Sequence, residues 1–98
     1  MAITIEDRAK GAMLGLAIGD AMGAPVEFRP RGKFPPVTGF RDGGPFKLKA
    51  GQWTDDTAMA LCLAQSLIDC QGMDASDQMD KYLKWVNEGY MSCTGQCV

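Results

Sequence analysis

Apolar residues in this chain cluster at helical spacing in three stretches, and no run alternates long enough to make a strand. The first stretch starts at Thr4, an N-cap candidate followed by Glu6 and Asp7, where the helix dipole favours negative charge. Met13, Leu14, Leu16, Ala17 and Ile18 continue it, and it should stop between Ala21 and Gly23, before Pro25. The second stretch has Thr54 at its N-cap position and Asp55, Asp56 and Thr57 in the first turn. It carries Met59, Leu61, Leu63, Ala64, Leu67 and Ile68 to a stop at Gly72. Its residues 58–64 are nearly all apolar or small, which predicts a central helix buried on most faces. The third is capped by Asp74 or Ser76 and ends at Gly89. It is expected to bury Met79, Tyr82, Leu83 and Val86 and to expose Asp80, Lys81 and Lys84. The fold class read from this pattern is all-α.

Between the first two helices the pattern breaks down. All five prolines, at 25, 30, 35, 36 and 45, fall in residues 24–52 with several glycines, which makes a long irregular loop. Within it, over residues 29–49, Arg29, Arg31, Lys33, Arg41, Lys47 and Lys49 face only Asp42, so a basic middle lies between two acidic flanks. Such a loop is either a solvated surface or a contact for a phosphate-bearing ligand. The whole chain, 98 residues at net charge −2, is weakly acidic, which argues against general nucleic-acid binding. No signal peptide or bilayer-length apolar run is visible, so the cytoplasm is the expected compartment and no membrane partner is expected. Cys62, Cys70, Cys93 and Cys97 lack the spacing of a disulfide framework and read as reduced thiols. The tail 91–98 ends on an apolar residue with no polar run after it, and reads as a chain stopping inside a domain.

Four glycines, Gly11, Gly15, Gly19 and Gly23, stand four residues apart on one face of the first helix. Each interior glycine costs a helix about 0.5–1 kcal/mol relative to alanine. Close approach of another backbone to that smooth face is the expected compensation. Asp20 lies near the end of the same helix, where the dipole disfavours an anion, and so needs a partner: a metal-bound water, an arginine or an exposed amide. Glu27, among Pro25, Val26 and Phe28, is either a plain loop glutamate or part of a site. Thr54, Asp55 and Asp56 offer hard oxygen donors about 100° apart around the helix, suited to Mg²⁺ or Mn²⁺. By themselves these three residues fit a helix cap better than a ligand set.

The segment Gly11–Phe28 resembles the opening helix and loop of the ADP-ribosylglycohydrolase family. Gly51-Gln52-Trp53-Thr54-Asp55-Asp56-Thr57-Ala58-Met59 resembles that family's first metal-binding motif, in the family's order. The resemblance runs through essentially the whole chain, as the amino-terminal fragment of a family domain, residues 1–98. It implies a compact helical fold around a two-metal site, usually Mg²⁺ with Mn²⁺ possible, that cleaves the glycosidic bond of ADP-ribosylated proteins or small ADP-ribosides. By position it assigns Thr54, Asp55 and Asp56 as metal ligands, and Glu27 as the glutamate over the metal site, the catalytic candidate. Family members continue with an Asp-x-Gly-Asn segment and later aspartates that these 98 residues do not contain, so the chain alone is expected to be inactive. The competing readings are a non-catalytic helical remnant or binding module, and a relative acting on another ribosylated small molecule.

Overall fold

A computed structural model describes residues 2–98. Among them are three helices and no strand: α1 (Ile5–Gly23), α2 (Asp55–Cys70) and α3 (Ala75–Glu88), with a 3-10 turn at Ala24–Val26. The all-α class stands. Thr4 caps α1 reciprocally: its hydroxyl accepts from the Asp7 amide at 3.0 Å, and the Asp7 carboxylate accepts from the Thr4 amide at 3.2 Å. Such a box is worth about 1 kcal/mol. Asp74, rather than Ser76, caps α3 by accepting the Asp77 amide at 2.9 Å. Gln71 and Gly89 close α2 and α3 in the left-handed conformation that returns their amides to the last carbonyls.

Packing is centred on α2, which touches both other helices. Ala58, Cys62 and Ser66 form its buried stripe, at i, i+4 and i+8. These are small side chains, and α3 comes close enough for the Cys62 thiol to reach the Lys81 carbonyl at 3.6 Å. The helix is thus central but buried along one stripe, with Met59, Leu67 and Ile68 exposed. The chain is a slab, 44 × 44 × 19 Å, with a radius of gyration of 15.3 Å. A compact chain of this length would have about 13 Å.

That flatness overturns the expected burial on α3. Met79, Leu83 and Val86 are 55%, 50% and 51% exposed, because no element of the described chain lies over the helix's apolar face. Tyr82 is half-buried. Lys81, expected in solvent, is instead 13% exposed in its side chain and clamps two helices: its ammonium sits 2.7 Å from Asp77 and 3.1 Å from Asp69 of α2. Asp80 and Lys84 are exposed as expected.

The irregular segment from Glu27 to Trp53 is anchored at a few points. An isolated antiparallel bridge pairs Gly43 with Leu48, whose side chain is buried. Gly44, at φ +83°, lies so close to the 3-10 turn that an added Cβ would come 2.7 Å from the Ala24 carbonyl and 2.8 Å from Pro25 Cα. The loop is thereby seated on the turn that presents Glu27. No described helix is long and apolar enough to cross a membrane, and all four cysteines are free.

Candidate functional site

Asp20 is the node that joins α1 to α2. Its Oδ1 accepts the Thr54 hydroxyl at 2.6 Å, while its Oδ2 accepts the Thr57 hydroxyl at 2.7 Å and the amides of Thr54 and Thr57 at 3.0 and 3.1 Å. The partner that its position demands is therefore a helix N-terminus, the third of the possibilities open from the sequence. Thr54 occupies the N-cap position of α2, yet its side chain makes no capping bond. The Asp20 carboxylate takes that role from another helix, accepting the third-position amide that a capping threonine would normally hold. Burial pushes the Asp20 carboxyl upward, but the bonds from Thr54 and Thr57 together prevail and hold it below the ordinary carboxylate range.

The segment entering α2 is tied down from its other side. Trp53 donates its indole N–H to the Met91 carbonyl at 3.1 Å and its amide to the Cys93 sulfur at 3.2 Å. The tail residues 91–93 thus brace the position just before Thr54. Nothing local in sequence announces that bond, since its partners are separated by 38 and 40 residues.

Between these elements lies a groove of about 450 Å³, lined by Gly15, Leu16, Gly19, Asp20, Gly23, Ala24, Glu27, Thr54 and Asp56. Its location explains the glycine stripe differently from the expected backbone contact. A Cβ added at Gly11, Gly15, Gly19 or Gly23 would meet nothing within 4 Å. The smooth face borders open space, and three of its glycines form one wall of the groove. Glu27 and Asp56 lie on the same groove as Thr54 and Asp20, while Asp55 does not line it.

The groove is electrostatically unbalanced. Burial first, then the charges of Asp55, Asp20 and Asp56, push the Glu27 carboxyl above its usual value. Asp56 is raised likewise by burial and then by Asp55 and Asp20. Among the described residues no lysine or arginine pairs with Glu27, Asp55 or Asp56. Carboxylates in this state are relieved by a cation, and with the threonine hydroxyl they make an all-oxygen donor set suited to Mg²⁺ or Mn²⁺. The donors fit such an ion in kind but not in number: among the described residues no three acidic, histidine or cysteine side chains converge on one metal position.

The chain is also similar to known proteins. The chain is 50% identical over 91 residues to the ADP-ribosylarginine hydrolase Tri1 of Serratia proteamaculans, covering 93% of this chain and 25% of that protein. It is 39% identical over 98 residues to the ADP-ribosyl-[dinitrogen reductase] glycohydrolase of Rhodospirillum rubrum, covering 96% and 33%. It therefore spans about a quarter to a third of the length of these relatives. A solved structure titled ADP-ribosylglycohydrolase-related protein complex superposes with a TM-score of 0.77 at 57% identity, over 82% of this chain and 28% of that one. With these likenesses, and with the ADP-ribosylglycohydrolase family model matching residues 1–97, the chain belongs to the ADP-ribosylglycohydrolase family.

Proposed function

We propose that the groove between α1 and α2 is one wall of a Mg²⁺-dependent site that hydrolyses the glycosidic bond of ADP-ribosylated protein side chains or related ADP-ribosides. The observation that carries this reading is the cluster of carboxylates without a basic partner, at a groove whose other wall is bare glycine. Thr54, Asp55 and Asp56 would hold the cation. When bound, it supplies an anchor for ribose hydroxyls and lowers the pKa of the attacking water. Glu27 lines the same groove, placed to take a proton from that water. Gly15, Gly19 and Gly23 let a ligand approach the backbone of α1. The printed activities of the Serratia and Rhodospirillum relatives favour an ADP-ribosylated protein, arginine-linked in the first case, as the substrate.

Since fewer than three acidic donors converge here, turnover needs carboxylates from further protein, and the 98-residue chain by itself is proposed to be inactive. The test is a chimaera in which this chain replaces the corresponding quarter of the Serratia protein. It should release ADP-ribose from ADP-ribosylarginine with Mg²⁺, lose that activity with chelator, and lose it in Asp55→Ala or Asp56→Ala. A folded chimaera that is inactive, or whose activity ignores chelator and both substitutions, overturns the reading.

A further inference from the structure

The four bonds to Asp20 carry a consequence for which atoms can meet a cation. An ionised carboxylate has about four lone-pair sites. Asp20 accepts four hydrogen bonds, one on Oδ1 and three on Oδ2, from two amides and two hydroxyls. Its Oδ2 is filled by three protein donors, and its Oδ1 is held by the short bond from the Thr54 hydroxyl. The Thr54 hydroxyl has its one proton committed to Asp20 at 2.6 Å and accepts no capping bond from its own helix. What that oxygen still presents is lone pairs, and Thr54 lines the groove. A threonine in its usual capping role would instead have used its oxygen on the amide of Thr57, which here goes to Asp20.

We propose that Asp20 is a positioning residue: by capping α2 from α1 and taking the Thr54 hydroxyl proton, it turns the Thr54 lone pairs outward and presents Thr54, Asp55 and Asp56 to a divalent cation that it does not itself touch. This rests on the metal-site reading above. Asparagine at position 20 keeps the shape but replaces one acceptor oxygen with an N–H donor. A hydroxyl facing that donor must accept, and its proton turns away from residue 20. At Thr54 a proton then points where a lone pair should meet the ion.

The experiment measures Mn²⁺ binding to the chimaera described above, which completes the site, by electron paramagnetic resonance of the free ion, with helix content followed by circular dichroism. The variants are Asp20→Asn, Thr57→Val and the double variant Asp55→Asn/Asp56→Asn. Loss of a hydrogen bond that orients a ligand typically weakens metal binding about 10–100-fold. Asp20→Asn should fall in that range at unchanged helix content. Thr57→Val changes no charge and removes one of the four bonds holding Asp20; it should weaken binding by about 3–10-fold, at or below the low end of that range. Were Asp20 a direct ligand through the remaining lone pair of Oδ1, Thr57→Val would leave that lone pair untouched, and affinity would hold or rise.

Weakening in both variants supports the positioning role. Binding within twofold of wild type in Asp20→Asn, or unchanged or tighter binding in Thr57→Val, overturns it while leaving the cation site intact. If Asp20→Asn loses helix content, Thr57→Val decides by the same criterion. If wild type binds no better than the Asp55/Asp56 double variant, the metal site itself falls, and the role of Asp20 with it.

Discussion

Replacing Gly15 and Gly19 by alanine should make this chain more stable. Both are interior positions of α1, and both stand in open space where a Cβ meets nothing within 4 Å. With no packing contact to lose, the substitution acts through backbone entropy and helix propensity alone, gaining about 0.5–1 kcal/mol at each site. The two added methyls sit one turn apart on a bare face and do not collide, so the pair should gain about 1–2 kcal/mol. For a domain of this size that raises the melting temperature by about 4–8 °C per kcal/mol. Thermal unfolding of the double variant, followed by circular dichroism at 222 nm, measures it directly. Gly44→Ala is the control of opposite sign, since its Cβ would press on the backbone of Ala24 and Pro25 at a φ of +83°. Left-handed strain of about 1–2 kcal/mol and an overpacking penalty of about 1–3 kcal/mol should lower its stability. A melting temperature that falls in Gly15→Ala/Gly19→Ala would refute the reasoning, because it would mean that something packs against the stripe after all.

Gly89→Ala should be among the most damaging single changes: its Cβ would overlap the Gly95 backbone at a φ of +73°, releasing the tail that braces Trp53, and a loss of about 2–4 kcal/mol by urea titration is expected. The Lys81 clamp defines a pH window. Hydrogen bonds, from Gln65 and Lys81 for Asp69 and chiefly from Lys81 for Asp77, hold both carboxyls below 3.8, and those bonds hold Lys81 above 10.5. The carboxylates' contribution is complete above 3.8 and is lost as pH falls through their depressed values; that of Lys81 is complete below 10.5 and is lost only as pH rises through its raised value. Lys81→Met should flatten both limbs of a stability-against-pH curve, and a curve identical to wild type would count against the clamp. In thiol alkylation without denaturant, exposed Cys70 and Cys97 should react well before Cys62, which is buried and whose thiol burial raises; early loss of Cys62 would show that α2 and α3 separate readily.

Local signals were readable from the chain because local chemistry decides them. The capping box at Thr4, the Asp74 cap and the glycine stop at 89 each depend on residues within one turn. The association of Asp20, Glu27, Thr54 and Asp56 with one groove was also legible in part, through the misfit of an acid at the end of α1 and the two motifs. What escaped depends on tertiary placement. Amphipathic spacing marks the apolar face of α3 but cannot say whether anything covers it, and Met79, Leu83 and Val86 stay exposed in this slab. Lys81 looks solvent-bound by its own helix, and only the approach of Asp69 from α2 draws it inward. The glycine stripe announces a smooth face equally whether a backbone or a cavity lies against it. Thr54 has the form of a cap, and nothing in its neighbours reveals that Asp20, 34 residues earlier, does the capping.

The central claim is that the groove holds a divalent cation on Thr54, Asp55 and Asp56. Crystals of the chimaera that joins this chain to the rest of the Serratia protein, grown with Mn²⁺ and measured for anomalous scattering, test it most directly. An anomalous peak within about 2.5 Å of the Thr54 hydroxyl oxygen and of carboxylate oxygens of Asp55 or Asp56 is the expected result, since Mg²⁺-type ions bind oxygen donors at close to 2.1 Å. A map with no peak at that end of α2, at Mn²⁺ concentrations that saturate the relatives, would contradict it.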